Sequence, residues 1–399
     1  MSIKNFCQDC GKSDLHHVST WIDEITTHLL PPLRLPQKVQ DGFDILLEKF
    51  FLVTRLAWFR SDFTEADIQL RSSCFIKEAQ KRGASVSVLE SAFGLTGNFK
   101  MSLNDRVFRF ETLPTADFRS KYGTSLVDDK VAAKRHCQKG SFPIADGGSF
   151  WFWQKRKALK AAQRIGFPLV VKPRGGSVSR HVTTNIQSED QLQKAIRFSL
   201  LYSPAFIIEK FLANTSVFRA TVIDFDFVAV VQQMPANVIG DGVSTVRELI
   251  DRKNNDPKRN VGPHKQLFFK ITEDTTTRTL LSQKGYSNDS APQAGEIVFL
   301  QKDPFLKLGG DLVEVTSEVH PDNRKLFSDV ARFFDIRVVG IDFLVKDIRT
   351  SWREQPCAIL ELNSAPCIEL HHFPSSGAPT NPGEALASMF FKYYVEAKA

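Results

Sequence analysis

The stretch Ile359-Leu360-Glu361-Leu362-Asn363 decides how the chain is read. Successive side chains of a strand point to opposite faces, so Glu361 and Asn363 share one face and Leu360 and Leu362 the other. The two leucines then face a core, and the strand reads as Cys357–Asn363. The apolar run before it, Val338–Val345, carries Asp342 within Gly340-Ile341-Asp342-Phe343-Leu344. Between the runs lies a polar loop with Arg349, Ser351 and Pro356. If the runs pair as a hairpin, Asp342 lies beside Glu361. Two carboxylates and an amide oxygen on one face repel unless a cation sits among them. They suit Mg²⁺, a hard ion that takes oxygen ligands and bridges to substrate phosphates. An ordinary polar sheet face has the same composition, and these residues alone leave both readings open.

Working back along the chain, Phe167-Pro168-Leu169-Val170-Val171-Lys172-Pro173 reads as a short apolar strand stopped by proline. The turn Gly175-Gly176-Ser177-Val178-Ser179 follows. A lysine at that place can hold a phosphate as a point charge while turn amides cradle others. The spacing of a P-loop is absent, and a lone Lys-Pro after a strand is also simply a common strand end. Ser188 with Gln191 forms a capping-box pattern ahead of Leu192, Ala195 and Ile196, which predicts a helix start. Residues 205–209 read as a second apolar strand ending on Glu209-Lys210, a place where an adenine edge could bond backbone groups or where a strand merely reaches water. Residues 218–223 and 227–232 flank Asp224-Phe225-Asp226 as a hairpin.

The N-terminal 125 residues give weaker signals. Apolar clusters at 43–56 and 79–89 supply helix and strand material. A helix ending on Gly83 and a short strand at Val86-Ser87-Val88 suggest a βα-type lobe.

Composition narrows the class. A chain of 399 residues calls for two or three compact lobes. Apolar residues at 42% and charged residues at 24% are the profile of a globular protein. No apolar run approaches the length of a membrane span, and residues 1–12 lack the order of a signal peptide. The expected location is the cytoplasm, with no membrane partner. A net charge of +7 is modest and dispersed, fitting phosphates or acidic substrates rather than nucleic acid. Whether the chain forms a homo-oligomer stays open. Six scattered cysteines make no disulfide framework. Cys7-x-x-Cys10 followed by His16 and His17 could hold zinc, or could be two free thiols in an N-terminal segment. His320 precedes Pro321 at a helix start and reads as a cap, and His371, just past the 359–363 strand, reads as structural or as a contact to substrate.

Taken in order, several motifs resemble the ATP-grasp superfamily, and within it the ATP-grasp region of cyanophycin synthetases and of bifunctional glutathione synthetases. The motifs are Asp128-Asp129-Lys130, the strand ending on Lys172-Pro173, Ile207-Ile208-Glu209-Lys210-Phe211-Leu212, Pro235-Ala236-Asn237-Val238-Ile239-Gly240-Asp241-Gly242, Thr245-Val246-Arg247-Glu248-Leu249-Ile250, Asn255-Asp256-Pro257-Lys258-Arg259, Val319-His320-Pro321, and Gly340-Ile341-Asp342 through Glu361-Leu362-Asn363-Ser364-Ala365-Pro366. The resemblance covers residue 126 to the C-terminus. It implies an α/β chain of α+β lobes: an ATP-grasp domain, with 126–212 as the smaller ATP lobe and 213–399 as the metal-binding lobe, preceded by a divergent N-terminal α/β lobe at 1–125.

The resemblance also implies roles. Lys130 and Lys172 would contact ATP phosphates, and the turn with Gly175, Gly176, Ser177 and Ser179 would close over them. Glu209, Lys210, Phe211 and Leu212 would form the adenine hinge. Asp342, Glu361 and Asn363 would hold two Mg²⁺, or Mn²⁺, with Glu361 shared. Arg219 would lie near the phosphates or the acyl phosphate, making Arg219 and Lys172 the catalytic candidates. The implied reaction is ligation of an amino acid or short peptide carboxylate to an amine through an acyl phosphate. The alternative is a degenerate relative that binds nucleotide or peptide without efficient ligation. Departures sit around the substrate: Val178-Ser179-Arg180-His181 where relatives carry more glycine, no acidic residue near 214–217, Gln233 where an arginine is expected, Phe305-Leu306-Lys307-Leu308-Gly309-Gly310 in place of Asn-x-Ser-x-Gly-Gly, and Cys367 where a glycine is expected.

Overall fold

The computed structural model describes residues 7, 13–29, 46, 49–92, 94–115, 124–175, 180–259 and 267–396. The strands in chain order are β1 (Ala57–Arg60), β2 (Ser85–Ser91), β3 (Gly94–Leu103), β4 (Arg106–Glu111), β5 (Gly147–Trp151), β6 (Leu169–Pro173), β7 (Thr183–Ile186), β8 (Ala205–Lys210), β9 (Ser216–Ile223), β10 (Phe227–Met234), β11 (Asn237–Ile239), β12 (Ile297–Phe299), β13 (Asp311–Glu314), β14 (Val338–Val345) and β15 (Cys357–Asn363). The chain divides into two compact units, one of residues 1–43, 125–215 and 356–362, the other of 44–124, 216–355 and 363–399.

The first unit is built on an antiparallel sheet in the order β5-β8-β6-β7. Leu169 and Val171 of β6 alternate inward, as a half-buried strand dictates, and join Phe206 and Ile208 of β8. Helices Lys155–Ile165 and Glu189–Leu200 cover them with Ala158, Ala162, Leu192, Ala195 and Ile196. The Ser188 side chain accepts from the Gln191 amide and starts the second helix as the sequence predicts. The Gln191 side chain reaches one residue further back than a standard box, to the Gln187 amide at 2.8 Å. Segment 356–362 belongs to this unit because Ile359 bridges Ile144 and its amide donates to the Pro143 carbonyl at 2.8 Å.

In the second unit the antiparallel meander β1-β2-β3-β4 is backed by helices Leu70–Lys81 and Pro382–Phe390. Its core packs Phe75, Val88, Phe99, Met101 and Phe110 against Leu386 and Phe390. The expected helix begins at Leu70 and stops on Lys81, two residues before Gly83 at φ +85°. A further antiparallel run of strands has the order β13-β10-β9-β14, and β11 pairs β12. β9 and β10 form the expected hairpin, with Asp224 and Phe225 at positive φ in its turn. Arg332 and Arg337 each stand 4.9 Å from the Phe225 ring and hold it there. β14 and β15 have the bounds that alternation and apolar content set for them. No described helix is long and apolar enough to cross a membrane.

Candidate functional site

In the first unit, Val170 of β6 lies opposite Glu209 of β8, so Lys172, two residues on, shares a face with Glu209. The Lys172 ammonium stands 3.0 Å from the Glu209 carboxylate, which also pairs with Lys134 of the Lys130–Lys139 helix. Glu209 is only 3% exposed. Burial alone would raise its pKa, but the two lysines overcome burial and hold it at about 2. Lys134 is pushed down to about 8, because burial outweighs the attraction of Glu209. Gly147 of β5 faces Glu209, and a Cβ there would come within 2.9 Å of the Glu209 Cγ. Glycine at that position makes room for the carboxylate.

Asp129 caps the same helix, accepting from the Val131 and Ala132 amides at 2.8 Å each. That cap fixes where Lys130 starts. The Lys130 ammonium stands 3.6 Å from the Glu361 carboxylate. Arg174, just past β6, pairs with Asp129 at 2.8 Å and with Glu24 of the Asp14–Leu29 helix at 3.5 Å. Burial raises Glu24 to about 7 against the pull of Arg174. Gly175 lies beside Glu24. Gly176, Ser177 and Ser179 lie outside the described residues.

The expected hinge is more committed than the sequence suggests. The Lys210 ammonium donates to the carbonyls of Gly166 and Phe167 at 3.0 and 2.8 Å. The Lys210 and Phe211 amides donate to the carbonyls of Asp146 and Pro168. Leu212 follows, and its carbonyl accepts from the Thr215 hydroxyl.

In the second unit, Arg219 of β9 and Asp342 of β14 are directly opposed. The guanidinium grips the carboxylate with both Nε and Nη2, the latter at 2.8 Å. Gly340 leaves the room for this, since a Cβ there would lie 2.9 Å from Arg219 Nη1 and 3.2 Å from Pro366. Past β15, the Asn363 Nδ2 is buried without a hydrogen-bond partner among the described residues. Asp342 and Asn363 here, and Glu361 in the first unit, each offer an oxygen donor of the kind a hard divalent ion takes.

Two features escaped sequence reasoning. Arg71 donates to the Cys367 sulfur at 2.8 Å and to the Ala365 carbonyl at 3.2 Å, and pairs with Glu369 at 3.5 Å. Cys367, the departure from glycine, is therefore held in place, and burial pushes its thiol up to about 11. Nothing local marks Arg71, nearly three hundred residues away. The second feature is His181. Cys7, His17 and His181 place their ligand atoms within 4.8 Å of one another, while the His16 ring instead packs near Tyr202. Cys10 lies outside the described residues. His320 accepts from the Asp322 amide and caps its helix as expected. His371 is fully buried between Glu314 and Thr221, a structural role.

Residues 129–257 match the family described as carbamoyl-phosphate synthase L chain, ATP binding domain. The chain is similar to the cyanophycin synthetase of Nostoc sp. (strain PCC 7120), 32% identical over 328 residues, which is 82% of this chain and 35% of that protein. It is also similar to the glutathione biosynthesis bifunctional protein GshAB of Clostridium perfringens, 26% identical over 82% of this chain and 41% of that protein. Among solved structures, a bifunctional glutathione synthetase from Pasteurella multocida matches with a TM-score of 0.64 at 21% identity, covering 82% of this chain and 44% of that one. The chain thus spans well under half the length of these relatives.

Proposed function

The chain belongs to the ATP-grasp superfamily, and on that premise we propose that it is an ADP-forming ligase that joins an amino acid or short peptide carboxylate to an amine. The observation that carries this reading is Lys130 beside Glu361 at 3.6 Å. A lysine assigned to ATP phosphates stands next to a carboxylate assigned to a divalent ion, the pairing that a metal–nucleotide complex needs.

In this reading Lys130 and Lys172 bind the phosphates, and Lys172 exchanges Glu209 for phosphate oxygens. Gly175 is assigned to the same phosphates, and residues 176–179 of that assignment lie outside the described residues. The Lys210 and Phe211 amides already donate within the sheet, so the adenine edge falls to the Leu212 amide. Asp342, Glu361 and Asn363 hold two Mg²⁺ ions, with Mn²⁺ as a substitute. Asn363 can turn its amide oxygen inward, because no partner fixes its nitrogen. When bound, the metal neutralises charge on the transferred phosphoryl group. Arg219, its plane fixed by Asp342, stabilises the acyl phosphate. The amine then displaces phosphate and forms the amide. We assign nucleotide binding to 126–212 and metal binding to 213–399, we read 1–125 either as a lobe that selects the amine or peptide or as a divergent N-terminal lobe, and we place the protein in the cytoplasm.

A second reading, nucleotide binding without ligation, is favoured by Cys367, whose thiol Arg71 holds where a glycine is expected. Phosphate release from ATP and Mg²⁺ with pooled amino acids separates the two. The ligase gives amine-dependent release that falls to background in Glu361→Ala, with an amide product visible by mass spectrometry. ATP binding without turnover under every acceptor pool would overturn ligation.

A further inference from the structure

We propose that Cys7, His17 and His181 form a zinc site that clips the N-terminal segment to the rest of the first unit, a site separate from the oxygen-donor set assigned to Mg²⁺. The Cys7 sulfur lies 3.4 Å from the His181 Nε2. With Zn–S near 2.3 Å and Zn–N near 2.0–2.1 Å, two ligands of a tetrahedral zinc are separated by about 3.3–3.8 Å. The observed pair is already at that spacing. All three ligand atoms fall within 4.8 Å, so closing on an ion asks His17 to move by about 1 Å.

The surroundings prepare the donors. His181 is fully buried, and its Nδ1 bonds the Phe198 carbonyl at 3.0 Å. A carbonyl can only accept, so Nδ1 carries the proton and Nε2 presents its lone pair toward Cys7. A backbone carbonyl on the far nitrogen is the usual arrangement behind a metal-bound imidazole. The His17 ring stands edge-on to His181 at 5.2 Å, and Tyr202 walls both rings at 5.6 and 5.3 Å. The helix that carries His17 is anchored nearby, with the Thr20 hydroxyl donating to the Tyr202 carbonyl at 2.6 Å and the Trp21 indole to the Leu200 carbonyl at 3.1 Å. One thiolate and two imidazoles select a borderline-soft ion and disfavour Mg²⁺ or Ca²⁺. The fourth tetrahedral position goes to a solvent oxygen or a further side chain.

Binding releases the Cys7 proton, so affinity falls as the pH is lowered. The site joins three parts of the sequence that are 10 and 164 residues apart, so its folding benefit comes from closing those loops.

The test uses the full chain. Elemental analysis of the purified protein, followed by chelation and titration with Co²⁺, should give about one metal per chain and the charge-transfer absorption of a cobalt–thiolate bond. Cys7 and His17 are only partly buried, so Cys7→Ser and His17→Gln keep the fold, which circular dichroism checks. Cys7→Ser should abolish the thiolate band, and each variant should weaken binding on the order of 100-fold or more. The proposal is overturned if the wild-type chain gives no thiolate band with Co²⁺, or if folded variants bind the metal as tightly as wild type. In either case Cys7 and His181 share only a thiol–imidazole hydrogen bond.

Discussion

Selected carboxylates of the two units meet different cations, although Arg174 also pairs with Asp129 and Glu24 in the first and Lys253 with Asp311 in the second. In the first, the carboxylates Glu209 and Glu361 meet lysines, namely Lys134, Lys172 and Lys130. In the second, Asp342, Glu369 and Asp311 meet arginines, namely Arg219, Arg71 and Arg259. A lysine is a compact point charge on a flexible stem and can trade one oxygen partner for another. An arginine fork fixes geometry through several donors at once. Arg259 illustrates the fork: only 3% exposed, it holds the carbonyls of Phe269 at 2.7 Å and Gly309 at 3.1 Å as well as Asp311. Under the proposed function the lysine pairs at Lys130 and Lys172 are where an incoming phosphate would replace a carboxylate, and the arginine pairs would hold the scaffold.

The strongest way to break this contrast is Arg259→Ala. It leaves buried Asp311 with Lys253 and the Asn237 amide but without its arginine, and removing one partner of a buried ion pair costs about 3–5 kcal/mol. Denaturant unfolding should show a loss of that size, while ATP affinity per folded molecule stays unchanged. A stability change under about 1 kcal/mol would remove Arg259 from the scaffold.

Lys130→Ala is the converse. Its partner Glu361 is partly exposed, with 32% of the side chain accessible, so the pair contributes under about 1 kcal/mol to stability. A cation aimed at transferred phosphate contributes far more to the reaction, and turnover should drop about 100-fold. Unchanged turnover with lost stability would reverse the roles of the two kinds of pair.

Cys367→Gly probes the arginine side more gently. It removes the sulfur that accepts from Arg71, a loss of about 1 kcal/mol in unfolding experiments. If the thiol narrows the acceptor site, kcat/KM for the amine rises severalfold. A fall instead would make the Arg71–Cys367 contact part of a working acceptor site.

These expectations rest on how much each region reveals in its sequence. β14 and β15 were legible to the residue because their apolar runs are bounded by polar loops. The Ser188 cap was legible because a cap and its helix lie within four residues. The meander was hidden: β3 carries Gly94, Gly97, Asn98 and Lys100 among its apolar positions, which dilutes the alternation. The charge network around Asp311 was also hidden. Asn237 and Arg259 sit in motifs visible in the sequence and Lys253 lies between two of them, but they meet Asp311 across 52 to 74 residues. Arg71 and His181 carry no local signal, since their importance comes from a partner over a hundred residues away. Candidate metal and phosphate residues can be named from the sequence because their chemistry restricts them to a few residue types. Long-range pairs read poorly because any arginine or histidine could supply them.

Glu24 gives the smallest test, and it lies within the first unit. Its arginine partner Arg174 is shared with Asp129. Asp129 is held below its ordinary value because its hydrogen bonds and Arg174 outweigh burial, whereas burial leaves Glu24 raised to about 7. The unfolded Glu24 gives up its proton near pH 4.5, while the folded one keeps it to about pH 7. Across that window the unfolded chain binds fewer protons, so this group makes stability fall as pH rises from about 4.5 to about 7. Glu209 tilts the other way at lower pH, its contribution being lost as pH falls from 4.5 toward 2. Glu24→Gln should remove the fall between pH 4.5 and 7, a change of roughly 1 kcal/mol across the window after screening, and leave the acid limb intact. Retention of the fall would mean that Arg174 already keeps Glu24 ionised, and that one arginine serves two carboxylates as well as two lysines serve Glu209.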